Sequence, residues 1–115
     1  MATEFDYGQL DAITGGDVEF ELEVIEDYLS SAPKDMAKLR AAIEAGDSAA
    51  TSATAHALKG ASATLGAKGF ASTALVIEQA GRKGEVALAR QTIDRCEAEL
   101  AEVSDLLRQR IAKAA

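Results

Sequence analysis

The sequence lacks most of the residues from which metal centres, disulfide frameworks and aromatic cores are built. Its 115 residues include no tryptophan, one proline, one cysteine and one histidine, and only 4% are aromatic. A single cysteine excludes an internal disulfide, and one histidine with one cysteine leaves no ligand set for zinc. The absence of disulfides is typical of a reducing compartment. We therefore expect a cytoplasmic protein with no metal site and no cofactor.

Positive charge is also scarce. The chain has 12 basic and 19 acidic residues, a net charge of -7, and no basic stripe, which argues against nucleic acid as a partner. Residues 1–7 have neither the cationic start nor the apolar stretch of a signal peptide, and no segment is long and apolar enough to span a membrane. There is no glycine-rich nucleotide loop, so we expect no ATP-dependent kinase activity.

The sequence does contain amphipathic helical patterns over most of its length, and no segment alternates with the period of a strand. A short helix over residues 6–13 ends at the Gly15-Gly16 pair, and Asp17 is the predicted N-cap of a long helix. Pro33 is expected to kink this long helix or to split it. One apolar stripe runs the whole length of the helix and consists of Val18, Leu22, Ile25, Leu29, Ala32, Met36, Leu39 and Ile43.

Three further helices follow, separated by short turns. The predicted boundaries are Gly46 with Asp47 or Ser48 as the next N-cap, Gly66 with Gly69, the turn Gly81-Arg82-Lys83-Gly84, and a last helix from Glu85 to Ile111. Cys96 lies in register with the apolar stripe of the last helix and is predicted to fill the core. The predicted fold is all-α, an antiparallel four-helix bundle with a short additional N-terminal helix. We expect one domain over residues 1–115, and a monomer because the four stripes are satisfied internally; an unpaired patch on the first or last helix would instead support a dimer.

His56 is the residue best suited to chemistry, because a neutral imidazole offers a free nitrogen lone pair near neutral pH. On a helix, Leu58 and Leu65 lie about 160° and 180° from His56, so the bulky apolar side chains occupy the opposite face. Within about 60° of the ring lie Ser52, Lys59, Gly60 and Ala63. Three of these residues are small and one is a cation. The pattern predicts an exposed ring that a partner's surface approaches closely.

The same segment resembles the signature of histidine-containing phosphotransfer (HPt) domains, in which His-x-Leu-Lys-Gly precedes a small residue and a Leu-Gly pair. Here the signature reads His56-Ala57-Leu58-Lys59-Gly60-Ala61-Ser62, and Leu65-Gly66 closes it. Residues 70–77, Glu78 and Gly81-Arg82 are similar to the family's next helix, and residues 17–46 are similar to its long first helix. The resemblance covers nearly the whole chain.

The resemblance implies a phosphorelay intermediate. In this family the histidine takes a phosphoryl group from the aspartate of a receiver domain or passes one to it, so His56 is the expected phosphoacceptor. Lys59 is expected to offset the charge of the phosphoryl group; the alternative is an ordinary solvated lysine. The expected partners are receiver domains of response regulators or hybrid histidine kinases, and any Mg²⁺ in the reaction belongs to them.

Other residues near His56 have two interpretations each. Gly60 costs its helix about 1 kcal/mol relative to alanine, which indicates a need for clearance, either for a partner's loops or for a neighbouring helix. Glu78 aligns with a position where this family often has a polar residue that orients the imidazole, or it contacts only water. Arg82 meets an acidic rim on the receiver, or it interacts with the C-terminal dipole of its own helix. Ser52, Gly60, Ala63 and Arg82 form the expected partner surface.

Three alternatives compete with phosphotransfer. A solvated histidine without a role is disfavoured by the motif. General-base catalysis through Ser52 or Ser62 is disfavoured because Ser62 lies about 120° from the ring and neither serine has an oxyanion-hole loop. The third alternative is a helical adaptor that docks signalling partners through the same face without phosphate chemistry. An adaptor tolerates the loss of the imidazole, whereas a phosphocarrier does not.

Overall fold

The computed structural model describes residues 3–114, and in that part of the chain it contains helices and no strand. The helices are α1 (Tyr7–Thr14), α2 (Val18–Glu44), α3 (Ser48–Leu65), α4 (Lys68–Arg82) and α5 (Val86–Ala114). Helices α2 to α5 form a closed ring in which each packs on two neighbours, and α1 packs on α2 and α3. The predicted all-α bundle with a short additional N-terminal helix is confirmed. None of the described helices is long and apolar enough to cross a membrane.

Contacts between the helices show that neighbours run antiparallel. Glu21, in the first turn of α2, pairs with Arg110, near the end of α5, at 2.9 Å. The Tyr28 hydroxyl lies 2.8 Å from the Ser62 hydroxyl, and this buried hydrogen bond joins the first half of α2 to the last turns of α3. Cys96 is fully buried among the apolar side chains of the core, as predicted.

The first turns of α2 depart from the predicted stripe. Val18 is 58% exposed and Leu22 is 38% exposed, whereas the stripe is buried from Ile25 onward apart from a half-buried Leu29. The reason is a difference in length: α2 has 27 residues and α3 has 18, or about 40 Å against about 27 Å. Because α3 starts beside the C-terminal end of α2, it ends before it covers the first turns of α2.

Some predicted boundaries also change. Pro33 lies inside a continuous α2 and does not split it, since the apolar stripe keeps its phase on both sides of the proline. Gly69 belongs to the first turn of α4 rather than to the preceding turn, and α5 continues beyond Ile111. The N-cap predicted at Asp17 is confirmed, because its side chain accepts a hydrogen bond from the backbone of Phe20.

The turn between α3 and α4 fixes how these two helices enter the bundle. Gly66 ends α3 with a φ of 110°, a left-handed conformation that favours glycine. Its carbonyl accepts a hydrogen bond from the Asp6 backbone N–H at 2.7 Å, and a side chain at this position would collide with the Asp6 carbonyl. The N-terminal segment is thereby held against the turn, and α3 and α4 lie side by side.

Candidate functional site

His56 lies in the middle of α3 with 64% of its side chain exposed. Leu58 and Leu65, which the helical angles place on the opposite face, are buried in the core. The outward direction of the ring therefore follows from burial of the leucine side of α3. On the face of the ring, Ala63 is exposed and Ser52 is half-buried.

Glu78 of α4 provides a buried carboxylate beneath the ring. Its side chain is 1% exposed, and its Oε2 lies 3.1 Å from Nδ1 of His56. Glu78 therefore does not contact only water, as one of the two sequence interpretations proposed. An ionised carboxylate only accepts hydrogen bonds, so the contact favours the tautomer with its proton on Nδ1.

Two cations share the same carboxylate. Lys59 Nζ lies 2.7 Å from Oε1, outside the angular range of a hydrogen bond, and Arg82 Nη2 lies 2.7 Å from Oε2. The Lys59 ammonium is the largest cause that lowers the pKa of Glu78 below its ordinary value; His56 and Arg82 also lower it, and burial opposes them. Sequence reasoning placed both cations near the ring but did not pair either with Glu78. The site is a cluster of one buried anion, two cations and one imidazole.

This cluster makes the contribution of Glu78 to stability depend on pH. Because the native pKa is lowered, the stabilisation is present above the ordinary value of 4.5 and is lost as the pH falls through the native pKa. We expect Glu78→Gln to lower the free energy of unfolding at pH 7 by about 1 to 3 kcal/mol. The difference from the native chain shrinks as the solution is acidified below pH 4.5. Urea unfolding at several pH values measures this difference in the free energy of unfolding. A difference that grows in acid would contradict a lowered pKa of Glu78 in the native state.

Gly60 is open to solvent on the face of the ring. A methyl group added there would meet no heavy atom within 4 Å. The interpretation that Gly60 provides clearance for a neighbouring helix is therefore wrong. The other interpretation, that Gly60 provides clearance for a partner, stays a prediction.

Gly60→Ala is consequently expected to stabilise the fold and to impair docking. Alanine in a helix interior gains about 0.5 to 1 kcal/mol over glycine when nothing blocks its side chain. Thermal or urea unfolding measures the gain, and partner titration measures the weaker docking. A variant that is more stable and docks as well as the native chain shows that no partner needs this clearance.

Gly81 is a residue that sequence reasoning placed in a turn and in the resemblance to the family's next helix, but with no contact to another helix. It lies in the last turn of α4, and a Cβ there would lie 2.7 Å from the backbone nitrogen of Ser52 and 3.0 Å from the carbonyl oxygen of Ser48. The backbones of α3 and α4 thus touch at this point. Since Gly81 is one turn after Glu78 on the same face of α4, the close contact places Glu78 against α3.

Within residues 3–114, neither serine considered as a nucleophile hydrogen-bonds His56, and Ser52 is half-buried on the face of the ring. Ser62 is fully buried and its hydroxyl is bonded to Tyr28, so it faces away from the ring. Within residues 3–114, the side chain that hydrogen-bonds His56 is Glu78, and no group of histidine, cysteine and acidic residues could hold a metal ion.

Charge is distributed unevenly around this site. Between residues 48 and 84, Glu78 is the only acidic residue, whereas the basic residues are Lys59, Lys68, Arg82 and Lys83. All other acidic residues of the chain lie outside that range. Because Glu78 is buried, the outer surface of α3 and α4 is positive on a protein with a net charge of -7.

Two comparisons with known proteins gave matches. A sequence profile described as the Hpt domain matches residues 23–106. The crystal structure of histidine-containing phosphotransfer protein B (HptB) from Pseudomonas aeruginosa PAO1 is similar over 98% of this chain and 98% of its own. The two have a TM-score of 0.91 and 27% sequence identity. A search of curated proteins gave no significant match.

Proposed function

The chain belongs to the Hpt domain family of phosphocarrier intermediates, and from this premise we propose that His56 carries a phosphoryl group on Nε2. A receiver domain supplies the group from its aspartyl phosphate, and the same or another receiver domain accepts it. The protein itself performs no ATP-dependent phosphorylation. In this proposal Lys59, Glu78 and Arg82 assist the transfer, and the partner docks over Ser52, Gly60 and Ala63.

The contact between Glu78 and the ring is the observation that carries this proposal. Because Nδ1 faces the buried carboxylate at 3.1 Å, the lone pair available for attack is on Nε2. The ring is 64% exposed, so a partner's phosphoryl group reaches this nitrogen without any opening of the bundle. A fixed tautomer with one accessible lone pair is what nucleophilic attack by imidazole requires.

The transfer proceeds by positioning and charge compensation. Nε2 attacks phosphorus as the bond to the aspartyl oxygen breaks, and the electron pair of that bond leaves with the carboxylate. Negative charge spreads over the equatorial oxygens in the transition state. Lys59 is 28% exposed and Arg82 is 63% exposed, so both cations reach the solvent side of the cluster where these oxygens lie.

The positive outer surface of α3 and α4 supports an acidic partner. The phosphate and aspartate of a receiver's active site form such a surface, and opposite charges accelerate association. Helix α2, with seven acidic and three basic residues, repels the same partner, whereas α5 carries five of each and has no net charge. The positive residues involved are Lys59, Arg82 and Lys83, because Lys68 pairs with Asp6 at 3.1 Å.

Incubation with phosphorylated receiver domains tests this function. Receivers of the source genome are loaded with radiolabelled phosphate and mixed with the native protein, and the label is followed by gel electrophoresis. We expect label on this chain that is stable in base and lost in acid, as for phosphohistidine. Docking of receivers without any label would instead identify a helical adaptor.

We also propose that the protein acts as a monomer in the cytoplasm. A single buried cysteine and no disulfide fit a reducing compartment. The bundle buries most of its apolar stripes internally, although Val18, Phe20 and Leu22 of α2, Leu75 and Val76 of α4 and Leu88 of α5 are exposed. Sedimentation equilibrium measures the oligomeric state, and a dimer that dissociates on Phe20→Ser would contradict a monomer.

A further inference from the structure

Glu78 constrains the ring after phosphorylation as well as before it. A carboxylate has no proton to donate, so it stabilises Nδ1 only while that nitrogen carries a proton. The cations Lys59 and Arg82 hold the pKa of Glu78 below its ordinary value, and the side chain therefore stays ionised at neutral pH. The Glu78 side chain is 1% exposed, so few water molecules compete with the ring for its carboxylate.

The proton balance of the transfer gives this constraint a chemical meaning. When Nε2 of the Nδ1-protonated tautomer forms its bond to phosphorus, the ring holds both a proton and a phosphoryl group and is cationic. It becomes neutral only if the Nδ1 proton leaves. That loss would bring the lone pair of Nδ1 against the lone pairs of Oε2 at 3.1 Å.

We infer that Glu78 keeps Nδ1 of phosphorylated His56 protonated and so keeps the phosphoryl group easy to transfer. From a cationic ring the imidazole leaves phosphorus as a neutral molecule, whereas from a neutral ring it would leave as an anion. The N–P bond breaks, its electrons return to Nε2, and the proton stays on Nδ1 throughout. Glu78 is a positioning residue in this step, and the inference rests on the proposed function of His56.

The other charged groups at the cluster do not reverse this effect. Lys59 of α3 and Arg82 of α4 pair with the carboxylate, and within residues 3–114 no ion pair from α2 or α5 reaches it. Both cations disfavour a positive ring by themselves. However, the phosphoryl group brings about two negative charges to the same cluster, and these attract the cations and the cationic ring alike.

Nitrogen NMR of the phosphorylated chain tests the inference directly. His56 is the only histidine, so protein labelled with ¹⁵N-histidine gives signals from this one ring. Phosphoramidate, a small phosphoryl donor, loads the ring without a receiver. We expect phosphorus on Nε2 and, in a titration, loss of the Nδ1 proton about one to two pH units higher in the native chain than in Glu78→Gln. Transfer of the phosphoryl group from His56 to a receiver is expected to slow once the ring has lost its Nδ1 proton. This slowing is therefore expected to begin at lower pH in Glu78→Gln than in the native chain.

Two controls separate the effect from general changes in charge and fold. Glu19→Gln changes the net charge by the same amount, and Glu19 is exposed at the start of α2. In this variant the phosphorylated ring is expected to lose its Nδ1 proton at the same pH as in the native chain. The native chain unfolded in urea gives a reference that needs no variant, and its phosphorylated ring is expected to lose the proton at lower pH than the folded one.

The inference would be overturned if phosphorylated His56 lost its Nδ1 proton at the same pH in the native chain and in Glu78→Gln. It would also be overturned if the folded native chain lost this proton at the same pH as the chain in urea. Phosphorus on Nδ1, or no loading by phosphoramidate, would also overturn it. The receiver assay is independent of this titration. Failure of every receiver to label a chain that phosphoramidate loads on Nε2 would contradict the proposed function, while the titration of the loaded chain would still decide the role of Glu78.

Discussion

His56→Gln is expected to abolish transfer, with label on the chain falling by at least about a thousandfold. Glutamine has no nitrogen lone pair that attacks phosphorus, and no second imidazole exists to replace it. The fold is expected to persist within about 0.5 kcal/mol, because the position is exposed and the glutamine amide still donates to Glu78. Gel assays with labelled receivers measure the transfer, and urea unfolding measures stability.

The same variant distinguishes a phosphocarrier from an adaptor. Both predict that receivers still dock on His56→Gln, since the surface around the ring changes little. Only the phosphocarrier predicts a loss of label. Equal label on the native chain and the variant would move the phosphorylated residue elsewhere and remove the basis of the site described here.

Gly81→Ala is expected to lower the free energy of unfolding by about 1 to 3 kcal/mol. Its new Cβ would lie 2.7 Å from the Ser52 nitrogen, a contact with backbone that no rotamer change relieves. Separation of α3 from α4 lengthens the contact between Glu78 and His56, so transfer is expected to slow as well. Urea unfolding and the receiver assay measure the two effects.

Gly60→Ala is the matched control for this prediction. Both substitutions exchange glycine for alanine inside a helix of the same site, and both gain the higher helix propensity of alanine. Only Gly81 has a neighbouring backbone in the way. Opposite signs for the two changes in stability are expected, and a Gly81→Ala variant as stable as Gly60→Ala would show that α3 and α4 are not in contact there.

The direction of the His56 ring was predictable from the sequence because it depends on one helix alone. Angles around the axis place Leu58 and Leu65 opposite the ring, and burial of these leucines decides the orientation. The contact with Glu78 was predictable only as one of two alternatives. It depends on how closely α4 approaches α3, and that distance is set by Gly81, whose neighbour on another helix leaves no trace in the periodicity.

The exposed start of α2 shows the same limit. A stripe of apolar residues at helical spacing continues from Val18 to Ile43, and nothing in that spacing tells where the partner helix ends. The pairing of Lys59 and Arg82 with one carboxylate was missed for a related reason. Helical spacing relates Arg82 to Glu78 on α4, but the fold is needed to add Lys59 from α3.

The only thiol of the chain is buried in the core, so its reaction with a thiol reagent reports on opening of the native bundle. Cys96 is fully buried, and its burial raises the pKa of the thiol to about 12. In neutral solution a thiol reagent therefore reacts with Cys96 only when α5 separates from its neighbours. The rate of Cys96 modification then measures how often the bundle opens, and no engineered label is needed. The same measurement then compares how often the bundle opens when His56 is free and when it is loaded.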